Sequence, residues 1–431
     1  MRTVSKTVIG VDFGTQSARA VLVNAENGEI IYSCRKEYPY NSTPVPAIDC
    51  AENLPCATDY EMTLYELLRN VIPEEYRKTV AGICIDATSL TMVLLAEDGR
   101  ALSELDGWSE AAHARVKLWK YHRAQEKADE ALNLASNLQE PFLGRTGGSI
   151  SCEWMLPKLL EVRDEAPEIY SKIDLAMDLC EFLTFRLTGQ LVRSIGSLSY
   201  KCLWAEDLSF PERTFLNGLR AGFYEEYCHF LRGDVRKPGE CAGMLRSELT
   251  KRWGLPEQIP VATGMLDGHT SLATMGAFEP GDAALIVGTS NVCTVQDRKL
   301  QELKDVCGVA QEGMVTGSCG IDTGQSSTGN MLGWFVEHMA GWQIHREAEE
   351  RKISPHQVLA ERIQKPWENK VIAVDWWSGS RNAPCDLTLR GSMSGLEMDT
   401  KTEDIYLALL QAIACGTGTI LESLSGQGVE I

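Results

Sequence analysis

The sequence predicts an α/β fold in two related domains, and three observations carry that expectation. Apolar strand-like runs at the front of the chain are followed by stretches of helical periodicity. A strand–turn–strand pattern near the start returns roughly 270 residues later, a weak internal symmetry rather than a short repeat. The length, 431 residues, suits about two or three domains.

The elements follow in chain order. Residues 4–12 form an apolar run ending in Asp12, and a tight polar turn follows at Phe13-Gly14-Thr15-Gln16-Ser17. Residues 18–23 read as the returning strand, Asn27-Gly28 is a hairpin signal, and residues 29–37 make a third strand. Residues 80–86 form a buried strand and residues 91–96 another, closed by Asp98-Gly99. Helical periodicity runs over about residues 109–134, 153–162 and 176–187, with Gly189 placed to cap the last. Near residue 255 the pattern restarts. Residues 259–266 are a strand that stops at Asp267-Gly268, and residues 269–275 a short helix. After a turn at Pro280-Gly281, residues 283–287 and 292–296 are two strands joined by Gly288-Thr289-Ser290. A linker near Trp253-Gly-Leu-Pro-Glu257 divides residues 1–255 from 256–431.

Composition narrows the function. Hydrophobic residues at 44% and charged residues at 23% are ordinary globular values, which argues against disorder. A net charge of −19, with no Lys/Arg-rich run, disfavours nucleic acid as a partner while leaving a small phosphorylated ligand open. The opening residues are too short and too weakly apolar for a signal peptide, and no run approaches the ~20 apolar residues of a membrane span. The expectation is a soluble, cytoplasmic protein without a membrane partner. Among the 14 cysteines the closest pair, Cys50 and Cys56, is not a CxxC, and no HExxH occurs, so buried thiols are expected rather than zinc or disulfides.

Two turns and one aspartate can carry chemistry. In Asp12-Phe-Gly-Thr-Gln-Ser-Ala-Arg19, Gly14 allows close backbone approach, Thr15 and Ser17 offer hydroxyls, and the turn's N–H groups can face an anion. Asp12, at the strand end, can hold a hydrated Mg2+ through water. An ordinary hairpin turn with an Asx cap explains the same residues. Gly288-Thr289-Ser290 is a second phosphate turn, and two facing hairpins can clamp a triphosphate. Neither GxxxxGK[ST] nor GxGxxG is present. Asp267 is a helix N-cap or a general base.

Together these residues resemble the FGGY carbohydrate kinases, the sugar-kinase branch of the actin-like (ribonuclease H-like) ATPases, and among them the L-ribulokinases. The resemblance rests on Asp12-Phe-Gly-Thr-x-Ser-x-Arg19, Leu118-Trp119-Lys120-x-His122, Gly147-Gly148 leading to Glu153-Trp154, and Ser199-Tyr200-Lys201-x-Leu203-Trp204. It continues in Gly264-x-x-Asp267-x-His269, Gly288-Thr289-Ser290, Gly324-Gln325-Ser326, and Gly379-x-Arg381-x-x-Pro384 through Arg390-Gly391-x-x-x-Gly395-Leu396. The Trp-Lys-x-His and Tyr-Lys-x-Leu-Trp elements point to the ribulokinases.

The resemblance implies an ATP- and Mg2+-dependent phosphorylation of a ketopentose. Asp267 would take the proton from the sugar's terminal hydroxyl, whose oxygen attacks the γ-phosphorus in line. Thr15, Gly288 and Thr289 would contact phosphates, beside Gly14, Gln16, Ser17, Arg19 and Ser290, with Asp12 near the metal. Lys201, Asp322, Asp267 and Ser89 would line the sugar pocket, shaped by Trp119 and Lys120. Taken alone, Lys201 reads as a solvated lysine, Trp119 and Trp376-Trp377 as core, and Asp322 as a turn residue.

Two departures from the family pattern stand out. Asp322 and Ser89 replace a Glu and a smaller residue, which bears on the sugar's identity. Family members also continue past the helix of residues 405–424 into a strand and a Gly-rich turn that hold adenosine. The resemblance therefore implies a truncated second domain and poor ATP affinity. A homodimer is expected from the family. The rival expectations are a kinase of D-ribulose, xylulose or a polyol, an inactive sugar-binding fragment, and an actin-like ATPase with a protein partner.

Overall fold

Buried and half-buried positions alternate along Thr7–Phe13 (β1), the period-2 pattern of a strand with one packed face. The chain turns back into Ser17–Asn24 (β2), and β2 pairs with Ile30–Glu37 (β3), both antiparallel. Val80–Ala87 (β4) then runs parallel to β1. Met92–Leu95 (β5) pairs antiparallel with Leu175–Asp178 (β6), and Val192–Ser194 (β7) parallel with Asp234–Arg236 (β8). Cys241–Met244 (β9), Pro260–Ala262 (β10) and Met265–Leu266 (β11) complete a seven-stranded sheet of order β3-β2-β1-β4-β10-β9, with β11 also on β4. The computed structural model describes residues 5–38, 54–364, 366–382, 385–386 and 388–431; Cys50 and Pro384 lie outside them.

Two compact units emerge. The first comprises residues 1–143, 150–271 and 310–319. Its sheet packs on the helices Ala57–Asn70 and Leu179–Thr188, which bury Leu64, Leu67, Leu68, Phe182 and Leu183 with Ile9, Val11, Ile83 and Ile85. A second core lies among the helices Gln125–Leu138, Met155–Glu165 and Phe223–Phe230.

The second unit comprises residues 144–149, 272–309 and 320–431. The strands Ala283–Val287 (β12), Asn291–Asp297 (β13), Gly308–Gln311 (β14) and Cys319–Gln325 (β15) form a sheet of order β12-β13-β15-β14. Ile372–Val374 (β16) and Ser392–Ser394 (β17) pair separately. The helices Gly329–His338, Pro355–Arg362 and Thr402–Gly426 enclose Phe335, Leu359, Tyr406 and Leu409, with Trp377 packed against them.

Local departures from the sequence reading have physical causes. Residues 109–134 are not one helix. Lys117 bridges to Met92 as a strand-like pair, and the helix starts only at Gln125. Residues 176–187 begin as β6, because Asp178 caps the following helix through a reciprocal bond with Glu181. A four-residue strand is too short to show its own period, so its apolar residues blend into the helix. Gly189 does end that helix, at φ 72°. Of the 13 described cysteines only five are buried and three are exposed, fewer buried thiols than expected. The helix Thr402–Gly426 is long and apolar enough, by length and composition, to cross a membrane, although no such run was expected. It buries Tyr406 and Leu409 in the core of the second unit.

Candidate active site

Three parallel strands end side by side in the first unit. Asp12 sits opposite Asp86 in the β1–β4 register, and Met265 sits opposite Asp86 in the β11–β4 register. Asp267 follows two residues later, at the start of the helix Asp267–Met275. Three carboxylates therefore collect at the carboxyl ends of adjacent parallel strands, the edge where open α/β sheets place their ligands.

The residues before Asp267 explain its position. The expected strand over 259–266 breaks between Ala262 and Met265, where Gly264 presses on β4. A Cβ on Gly264 would stand 2.4 Å from the Ile85 carbonyl oxygen, so only glycine allows β11 to close against Asp86. The Asp267 carboxylate receives the N–H of Gly268 at 2.7 Å and the backbone N–H of Ser89. Burial pushes its pKa up to about 6; the Asp12 charge adds to that rise, while the two N–H donors and Lys201 oppose it.

Burial likewise pushes Asp86 well above the usual carboxylate range, and the charges of Asp12 and Asp267 push the same way. Asp86 was not singled out from the sequence. The available signal was the repetition of an apolar strand closed by Asp, at Val11-Asp12 and again at Ile85-Asp86.

Lys201 ends the helix Ile195–Lys201 and is 7% exposed, so it is not a solvated lysine. Its charge acts on Asp267. In the same helix Tyr200 meets the buried His269 ring edge-on at 4.8 Å, which ties the Tyr-Lys motif to the Asp-x-His motif. Ser89 lies in a tight loop with Leu90 at φ 63°, and its buried Oγ meets no partner among the described residues.

The first turn is held from outside. Gly14 N–H donates to Ser17 O at 3.2 Å, and Tyr38 OH donates to Gly14 O at 2.8 Å. Trp119 Nε1 donates to Thr15 Oγ1 at 3.2 Å. Trp119 is thus both half-buried against a core and bonded to Thr15 in the first turn. Ser17 is buried and its Oγ accepts from Arg35 Nε at 3.0 Å, while Gln16 and Arg19 are exposed. Arg19 stands 3.8 Å from Asp12 in a solvent-facing ion pair. Lys120 is half-buried beside Trp119.

In the second unit, the Gly288-Thr289-Ser290 turn joins β12 and β13 as expected. Its carbonyls are tied down: Gly288 O accepts from Gly329 N at 2.9 Å and Thr328 Oγ1 at 2.8 Å, and Thr289 O accepts from Thr328 N and Asn330 N, both at 3.2 Å. Gly288 and Thr289 are exposed, next to the start of the helix Gly329–His338. Beneath them Gln325 bonds Asn291, Asp375 and Thr417 in a buried network. Asp322 is a buried strand residue on β15 rather than a turn residue.

The structure brings Asp12, Thr15, Ser89, Trp119, Lys201 and Asp267 into the first unit, and Gly288, Thr289, Ser290 and Asp322 into the second.

Comparisons with known proteins agree with this arrangement. Residues 7–274 match the N-terminal domain of the FGGY family of carbohydrate kinases, and residues 283–431 its C-terminal domain. A ribulokinase of Halalkalibacterium halodurans is 33% identical over 99% of this chain and 78% of its own. A ribulokinase of Mycolicibacterium smegmatis is 36% identical over 99% of this chain and 77% of its own. Among solved structures, a xylulose kinase from Brucella ovis superposes with a TM-score of 0.76 at 22% identity, covering 99% of this chain and 80% of its own. A ligand-bound xylulose kinase from Lactobacillus acidophilus gives 0.76 at 18% identity, covering 97% and 78%. The two actin-like α/β domains, the motifs and these matches agree: the chain belongs to the FGGY family of carbohydrate kinases.

Proposed function

We propose that this kinase transfers the γ-phosphoryl group of ATP to the terminal hydroxyl of a ketopentose, L-ribulose first, with Asp267 as general base. The placement of Asp267 carries the reading: a carboxylate raised to about 6, held by the N–H groups of Ser89 and Gly268, faces Lys201 at the end of three parallel strands. A base with that pKa is ionised at neutral pH yet strong enough to accept the alcohol proton as the oxygen attacks phosphorus. The ribulokinase relatives, 33% and 36% identical over nearly the whole chain, support the choice of sugar.

Lys201 sets the sugar's orientation beside the base, with Ser89 as a further pocket residue and Trp119 and Lys120 shaping the wall in the first unit; Asp322, on β15 of the second unit, is a separate candidate for contact with the sugar. In the first unit Thr15, with Gly14, Gln16, Ser17 and Arg19, receives phosphate; in the second unit the Gly288-Thr289-Ser290 turn is a phosphate-binding turn of its own.

Mg2+ fits the donors present. No group of three or more His, Cys, Asp or Glu side chains among the described residues is placed to hold a metal alone. Mg2+ bound with a nucleotide, however, takes one or two carboxylates plus phosphate oxygens and water. Asp12, with a half-exposed carboxylate, is the residue that would hold it, and Asp86 offers a buried Oδ1 that meets no partner among the described residues. When bound, the ion neutralises charge on the phosphates.

The Ser89 Oγ, which meets no partner among the described residues, favours one alternative, a ketopentose or polyol whose extra or inverted hydroxyl meets it. The test is ATP-dependent phosphorylation by the purified chain of L-ribulose, D-ribulose, D- and L-xylulose and ribitol, read as ADP release. Preference for L-ribulose supports the reading; xylulose turnover with L-ribulose ignored overturns it.

A further inference from the structure

Lys158 is a fully buried lysine with no part in the acid–base step described above, at 0% exposure in the helix Met155–Glu165. Its Nζ donates to three backbone carbonyls: Leu90 O at 2.7 Å, Leu118 O at 2.9 Å and Lys117 O at 3.3 Å. Three acceptors match the three protons of an ammonium group, so each bond has its own donor. Bonds from a charged donor are the stronger kind.

The three carbonyls belong to two loops, and each loop ends on the site. Leu90 is adjacent to Ser89, whose backbone N–H donates to the Asp267 carboxylate. Leu90 is in the left-handed region at φ 63°, an unfavourable place for a branched side chain, and is gripped at its other end, where its N–H donates to Asp178 Oδ2 at 3.0 Å. Asp178 is itself buried, at 2% exposure. Leu118 is adjacent to Trp119, whose indole N–H donates to Thr15 Oγ1 in the phosphate turn.

We propose that Lys158 is a positioning residue: its ammonium fastens the Ser89–Leu90 loop and the Leu118–Trp119 loop together, and so fixes the N–H donor on Asp267 and the indole donor on Thr15 in one frame. Asp178 is the second hand on the Leu90 peptide. The catalytic consequence rests on the kinase reading above. The mechanical one does not.

The balance of charges suits such a clamp. Lys158 is pulled down to about 7, with burial the largest cause. Glu153 and Asp178 favour its charged form, whereas the like charge of Lys117 disfavours it; the Cys152 thiol also faces it. Removing the lysine frees one loop that supplies a donor to Asp267, so the base should become less acidic and harder to ionise.

The test compares the full chain with Lys158→Met and Asp178→Asn by amide hydrogen exchange and by pH-dependent turnover of the best sugar. For Lys158→Met the proposal expects segments 87–92 and 116–120 to lose protection together. It also expects kcat to fall about 10- to 100-fold, as a misplacement of about 1 Å can. The sugar KM should stay within about threefold, and the acid limb of kcat/KM should move to higher pH. For Asp178→Asn it expects loosening of 87–92 alone, with the same upward move of the limb. Loosening of only one segment in Lys158→Met, or of neither, overturns the clamp. A folded Lys158→Met enzyme whose limb stays in place overturns the positioning role. If Lys158→Met does not fold, Asp178→Asn decides: an unmoved limb or an unloosened 87–92 overturns the proposal. If the parent chain shows no turnover, the catalytic readouts fall away with the proposed function while hydrogen exchange still decides the clamp.

Discussion

At the residue scale the chemistry depends on how charge is distributed among three neighbouring aspartates. With Asp267 as the proposed base and burial pushing its pKa up to about 6, kcat/KM should rise with pH through that value, because the protonated acid cannot accept the sugar's proton. Replacing it by Asn should lower kcat by about 10²–10⁴-fold with little change in fold, and steady-state kinetics with a thermal melt check both. Asp86 makes a second, opposite prediction. Its folded pKa lies above that of an unfolded Asp, so the folded chain binds the extra proton, and the stability this brings is present at low pH and is lost as pH rises. Asp86→Asn should therefore melt higher than the parent at pH 7–8, with the gain shrinking toward pH 4. An equal difference at both ends would contradict that assignment. Asp267 was legible from its sequence position, after an apolar strand and before a short helix. Asp86 was not, because a lone Asp closing a buried strand carries no motif; only the strand register puts it opposite Asp12.

At the element scale the two Gly-Thr hairpins were the most legible parts, since a strand, a Gly-Thr turn and a returning strand are local patterns. The connections around them were not. Residues 109–124 carry apolar residues at helical spacing, yet Lys117 is drawn into a bridge with Met92 and into a buried pair with Glu161 at 3.6 Å. Tertiary burial of a lysine overrides the local period there. The break at Gly264 was equally invisible, because it answers to the Ile85 carbonyl on a strand distant in sequence. Gly264→Ala should force β11 away from β4 and cost about 1–3 kcal/mol, as overpacking does. The matching loss of kcat, rather than of sugar affinity, should show in a KM-against-kcat comparison. Trp119→Phe keeps most of the ring and removes one hydrogen bond to Thr15, worth about 1 kcal/mol. The expected result is a KM for ATP about fivefold higher, with the sugar KM little changed.

At the scale of the whole molecule the sequence reading of an α/β, two-domain sugar kinase stands, because alternation, turn chemistry and ordered motifs all point the same way along the chain. Less legible was how chain order maps onto compact units: residues 310–319 fold with the first unit although their neighbours belong to the second. Gly313 shows why, for Tyr200 lies so close that a Cβ there would stand 2.6 Å from its ring. That segment is held by a side chain from the Tyr-Lys motif, a contact no local pattern announces. The net charge of −19 leaves cationic side chains such as Lys201 standing out at the site. A sugar that binds the native state should raise the melting temperature, by about 2.7 kcal/mol of stability at a hundredfold excess over Kd. L-ribulose should do so more than xylulose, and Lys201→Met should abolish the difference.

The most direct test of the central claim is the pH dependence of kcat/KM for L-ribulose phosphorylation, measured in parallel on the parent and on Asp267→Asn. The account predicts an acid limb near 6 in the parent and a profile lowered by about 10²-fold or more, without that limb, in the variant. A variant that keeps near-parental turnover, or a parent whose limb is unrelated to Asp267, would contradict it.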